Sequence, residues 1–210
     1  MKLLTTIIIC LFICFGSTAQ SQYEKGMRTA FELWENDKPW EASNLFVRIA
    51  QAEPDNWLPP FYVAQIHVYS SFSEKDKEKV PSMLKAALDY LNDAKALAKD
   101  NPAVLMLEAQ LLTAWVVYDG QQYGMKYSAK INQLYNEALR LAPNNPNVLL
   151  AKTEWDIGTA KYFGQSTKSH CEDIERAIEL FATFKPEGEF YPRTSLAYAQ
   201  RVLKENCTKE

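Results

Sequence analysis

The sequence predicts an all-α fold: about four helical hairpins stacked into a solenoid and closed by a C-terminal capping helix. Three observations carry that expectation. A helix-ending junction rich in Pro and Asn recurs as AEPDNW at 52–57, LAKDNP at 97–102, LAPNNP at 141–146 and, more weakly, EGEFYP at 187–192. The last residues of these junctions lie 45, 44 and 46 apart, and internal periods of that size belong to solenoids whose units bury a face only by stacking. No stretch alternates with period two, so essentially no sheet is expected.

The amino terminus is set apart before the helices are assigned. Lys2 precedes a run from Leu3 to Phe15 that is almost wholly apolar, followed by Gly16, Ser17, Thr18 and Ala19. The run is too short for the roughly 20 residues a spanning helix needs, and Ser17 and Ala19 are small residues placed for a cut before Gln20. Residues 1–19 are therefore expected to be a signal peptide, with the chain exported to a periplasmic or extracellular compartment and 20–210 forming one domain. No stable membrane insertion is expected after cleavage. Cys10 and Cys14 each follow Ile, where a lipidation site would require a small residue.

Nine helices are expected, at about 22–36, 39–52, 57–71, 81–99, 102–119, 126–142, 146–162, 169–184 and 192–206. Pro39, Pro81, Pro102, Pro146 and Pro192 stand at or near helix starts, where the missing N–H is not needed. Gly120 and Gly124 are read as ending the fifth helix. The ninth helix, with Arg193, Gln200, Arg201, Lys204 and Glu205 outward, looks like the polar cap that a solenoid requires.

The first unit steps 34 residues from Tyr23 to Trp57, with Ala30, Ala42, Phe46 and Pro54 at its 8th, 20th, 24th and 32nd positions. That pattern resembles the tetratricopeptide repeat (TPR), although Ile49 replaces a small residue. Counting back from the later junctions gives Ala64, Ala87 and Ala94, then Ala109, Tyr135, Ala138 and Pro143. The fourth unit is degenerate: Ala177 and Phe181 fit, but Thr153 stands for Ala and Glu189 for Pro. The resemblance implies a right-handed solenoid with units at about 23–56, 57–101, 102–145 and 146–191, capped by 192–207. The small residues would let helices approach closely.

The later units exceed the repeat length by 11, 10 and 12 residues, about three helical turns. The excess lies between the two helices of each unit: 70–80 with its EKDKEK run, 118–127 and 158–170. Insertions in repeats tend to one side of the stack, so one common rim is expected. Tyr118, Tyr123 and Tyr127 form a candidate patch there, with loop packing as the simpler explanation.

Catalytic chemistry finds little support. The chain has two histidines, His67 and His170, with no zinc-ligand spacing, and none of the GxSxG, P-loop or GxGxxG motifs. No catalytic residue, metal ligand or cofactor is assigned, and the protein is read as a non-enzyme. His67 is expected to pack inward. A formal net charge of −3, without a basic cluster, offers nothing to nucleic acid. Cys171 opens the eighth helix and Cys207 closes the ninth, each 18 residues from Glu189 at the turn. Antiparallel neighbours of equal reach bring them together, so a disulfide is expected.

The resemblance also implies a groove lined by the first helix of each unit, here Met27, Phe31, Trp34, Phe61, Gln65, Tyr69, Met106, Gln110 and Glu154 among others. This lining is aromatic and polar and lacks the Lys, Arg and Asn clamp used for acidic peptide ends; Phe31, Trp34, Phe61 and Tyr69 could equally pack core between tightly coiled units, since solenoid faces alternate core and groove along one helix. The leading expectation is a scaffold that binds a protein or peptide partner in an open, continuous groove. The alternative is a small-ligand binding or hydrolytic protein with a closed pocket between the inserted turns and the groove.

Overall fold

The computed structural model describes residues 22–207; the expected leader, with Cys10 and Cys14, lies outside the described residues. Helix α1 spans 22–35. It is followed by α2 (Pro39–Ala52), α3 (Leu58–Ser73), α4 (Val80–Leu97), α5 (Pro102–Tyr118), α6 (Gly120–Leu141), α7 (Pro146–Tyr162), α8 (Cys171–Phe181) and α9 (Leu196–Cys207). No strand occurs among the described residues. The helices pair as α1/α2, α3/α4, α5/α6 and α7/α8, with α9 packed on α8.

Local chemistry explains the breaks. Asn101 and Asn145 take extended backbone, and their side chains accept from the Ala103 and Asn147 amides at 2.9 and 3.0 Å. Pro102 and Pro146 then occupy first-turn positions that need no donor. At the end of α7, Gly164 adopts φ 66°. The Gln165 amide donates to the Ala160 carbonyl at 2.8 Å, the wrap that ends a helix on a left-handed residue.

Close approach of backbones is visible throughout the stack. Ala30, Ala42, Ala64, Ala87, Ala94, Ala109, Ala138 and Ala177 have no exposed surface. Thr153 is buried in the place of an alanine and returns its hydroxyl to the Leu149 carbonyl at 2.8 Å. Each hairpin thus exposes a face that only the next hairpin can cover. Three apolar clusters run along the stack: α1 to α5, α5 to α7, and α7 to α9. His67 is half-buried with Trp40 edge-on at 5.1 Å, and burial lowers its pKa.

Two helix boundaries differ from the sequence reading. Gly120 and Gly124 do not end α5; both belong to α6, which starts six residues earlier than the expected 126. Asp119 alone makes the break, in an extended conformation, and its carboxylate accepts from the Gln122 amide at 3.0 Å. Pro192 does not open α9, which starts at Leu196. Residues 182–195 instead form a non-helical strap, so Arg193 belongs to the strap and not to the cap's polar face.

The strap is the feature that departs from a plain solenoid. Phe190 and Tyr191, near the carboxyl end of the chain, are buried in the cluster built by α1 to α5. The Phe190 ring meets Tyr23 edge-on at 5.8 Å and lies parallel to Phe31 at 5.9 Å. The Tyr62 hydroxyl donates to the Phe190 carbonyl at 2.7 Å, and Tyr191 packs edge-on to Trp57 at 6.2 Å. The last unit is thereby fastened to the first two.

Candidate functional site

The first helices of the four units, α1, α3, α5 and α7, line a concave cavity of about 1740 Å³, joined by α6 from Gly120 to Tyr135, the strap and Tyr198 of α9. Phe31, Trp34, Gln65, Tyr69, Met106, Gln110 and Glu154 all face it. Met27 and Phe61 do not: both are wholly buried in the core between α1 and α4 and offer no surface to a ligand. A helix wedged between two neighbours turns part of its expected groove face into core, and the repeat positions alone do not say which part.

Aromatic side chains dominate the walls at the strap end. Phe31 packs edge-on to Tyr62 at 4.7 Å and to Phe46 at 5.4 Å, and Trp34 is tilted against Tyr69 at 6.4 Å. Tyr69 accepts from the Gln65 amide at 3.1 Å. Burial raises the pKa of the Tyr69 hydroxyl. The Oε1 atom of Gln110, also on the lining, is buried without a hydrogen-bond partner.

The strap is clasped over this end by charge as well as by rings. Arg28 on α1 donates to Glu189 through Nε at 2.7 Å and Nη2 at 2.8 Å, a forked pair between residues 161 apart in sequence. The guanidinium also stands 6.0 Å from the Phe190 ring. Arg28 holds the Glu189 carboxyl below its usual range. Both partners are half-exposed, so the pair fixes register more than it adds stability. Glu189 occupies the position where the repeat pattern would place Pro.

Further along, the Tyr198 hydroxyl donates to Glu154 at 2.5 Å, and the Trp155 indole donates to Asn132 at 3.2 Å. Burial raises the Glu154 pKa, against the opposing effect of the Tyr198 hydrogen bond. A carboxyl whose pKa is raised by folding disfavours the fold when ionised, and that penalty is relieved as pH falls through its titration. Glu154→Gln keeps an acceptor for Tyr198 and removes the charge. Its melting temperature is expected above that of the parent at neutral pH, with the difference shrinking in acid; a difference that grows in acid would contradict the assignment.

Sequence reasoning missed the strap residues, and also Tyr135, Asn132, Trp155 and Tyr198. The available signal was the pair Phe190–Tyr191, apolar rings in a segment too rich in Gly and Pro for a helix. The tyrosines singled out on the rim sit on α5 and α6: Tyr118 packs edge-on to Trp115 at 6.0 Å, and Tyr123 and Tyr127 stack at 5.5 Å. At the cap, Cys171 and Cys207 are joined by a disulfide with their Cα atoms 5.9 Å apart. No described cluster of His, Cys, Asp or Glu could hold a metal ion.

No protein-family model matches the chain, and no curated protein matches it. Two solved structures share its fold. The HusA haemophore from Porphyromonas gingivalis superposes with a TM-score of 0.75 at 19% identity, over 89% of this chain and 94% of that one. A thermophilic TPR protein of Thermus thermophilus gives 0.57 at 13% identity, over 90% and 93%. The chain has a TPR-like helical-repeat fold.

Proposed function

We propose that this protein is a non-enzymatic carrier that holds a large, flat, mainly apolar small molecule of the tetrapyrrole class in its concave cavity. The observation that carries this reading is the strap. By fastening the last unit onto α1 and α3, it interrupts the open groove a peptide would need and leaves an aromatic-walled concavity with a few convergent polar groups. Planar ligands bury well against Phe31, Trp34, Tyr69 and Trp155, and the likeness to a haemophore supports the same class. Among the described residues neither His nor Cys lines the cavity, so the iron donors offered to a haem are Tyr and Glu oxygens or the Met106 and Met125 thioethers. Export to an envelope or extracellular compartment belongs to the same proposal, supported by the apolar run and small residues expected to form a leader at 1–19.

Peptide binding is the second reading. The volume exceeds the roughly 300–1,000 Å³ usual for small-molecule sites, and the TPR-like scaffold supports a segment of partner chain in the same space.

Titration with haem and with metal-free protoporphyrin tests the choice. Saturable binding at micromolar concentration is expected, with quenching of the cavity tryptophans Trp34 and Trp155, and Phe31→Ala should weaken it about tenfold, a 1.4 kcal/mol loss of stacking and apolar contact. Absence of saturable binding to either tetrapyrrole would remove this reading in favour of the peptide.

A further inference from the structure

Where α5 ends, α6 begins and α7 ends, the cavity mouth carries an uncovered apolar corner. Val117, Met125, Tyr162 and Phe163 are 63%, 97%, 74% and 66% exposed, and all four edge the cavity. Single exposed apolar residues are ordinary, but a contiguous group marks a contact surface. On the α7 side of it Gly164, in the left-handed region, stops the helix directly after Tyr162 and Phe163, whose rings meet edge-on at 5.1 Å.

The charges around the corner indicate what it meets. Residues 117–126 and 161–170 contain Lys126, Lys161 and Lys168, no arginine, and one carboxylate, Asp119, which is turned onto the α6 backbone; Lys126 lies over the Tyr123 and Tyr127 rings, Lys161 donates to the Asn206 side-chain oxygen at 2.6 Å, and the next carboxylates, Glu172 and Asp173, open α8. In a chain of net charge −3, these two segments carry more basic than acidic side chains. Protein interfaces favour Arg and deplete Lys. Exposed aromatic and Met side chains flanked by lysines suit a lipid interface, with rings in the headgroup layer and ammonium groups reaching phosphates. Among the described residues no helix is long and apolar enough to cross a membrane, so the contact is peripheral.

We propose that this corner docks the protein on an anionic lipid surface with its cavity mouth turned toward the bilayer. An apolar cargo then exchanges between cavity and lipid without crossing bulk water, a consequence that rests on the carrier reading above; the docking itself rests on the corner alone.

Vesicle flotation of the chain begun at Gln20 tests it without any cargo. Flotation is expected with vesicles of equal parts phosphatidylcholine and phosphatidylglycerol, falling at high salt, and only weakly with phosphatidylcholine alone. The triple change Met125→Ser, Tyr162→Ser, Phe163→Ser should lower the partition coefficient at least about tenfold, because apolar insertion and charge attraction must act together for stable binding. The pair Lys126→Glu, Lys161→Glu, which leaves the apolar side chains in place, should cost roughly as much on the mixed vesicles. Equal flotation with both vesicle types, no response to either variant, or failure to float with self-association at the same concentration would each overturn the proposal. Tetrapyrrole titration of the parent protein reports separately on the carrier reading.

Discussion

Phe61→Ala is expected to lose about 3–5 kcal/mol of folding stability while folded molecules keep their affinity for a cavity ligand. Phe61 has no exposed surface and sits edge-on to both Trp57 and Tyr62, each at 5.4 Å. Removing its ring leaves a void where α3 meets the strap end of the core, because Trp57 and Tyr62 are held by Tyr191 and by the Phe190 carbonyl and cannot collapse inward. Denaturant unfolding followed by ligand titration of the folded fraction checks both halves. If affinity falls as far as it does for Phe31→Ala while stability holds, Phe61 faces the ligand after all.

Replacing Cys171 and Cys207 together with Ser should cost about 3–4 kcal/mol, the chain-entropy value for a loop of this size. The two half-cystines are separated by 36 residues. The disulfide ties α8 to α9, so the loss is felt first in the segment it closes. Residues 171–207 should lose hydrogen-exchange protection first, and the melting temperature should fall by roughly 10 °C. The parent treated with reductant should behave as the variant does. Free thiols in the mass of the parent purified without reductant would remove the basis for this expectation.

The stack was legible in sequence because its rules are local. Asn101–Pro102 and Asn145–Pro146 each combine a side-chain cap with a residue that needs no backbone donor, and Ala at fixed offsets reports helices in contact. Legibility failed where one local signal had two meanings. Gly120 and Gly124 serve as helix stops or as tolerated helix residues, and the neighbouring Asp119 cap decided for the second. Pro192 suits a helix start equally well as an extended strap. The candidate site was partly legible for the same reason: Phe31, Trp34, Gln65, Tyr69, Met106, Gln110 and Glu154 face the cavity, while Met27 and Phe61 pack into the core. No local pattern pairs Arg28 with Glu189, because nothing in the sequence between two residues 161 apart records that the ends of the stack meet.

That meeting changes the mechanics of the molecule. A solenoid left open at both ends behaves as a spring, and small rotations between units add up to a groove that widens or narrows at little cost. Fastened by Phe190 and by the Arg28–Glu189 fork, with the two helices that carry the strap tied through Cys171 and Cys207, this chain is a hoop instead. The bore of a hoop is set by its circumference. Widening it requires withdrawing a buried aromatic ring, so the width of the cavity is written into the length of the strap.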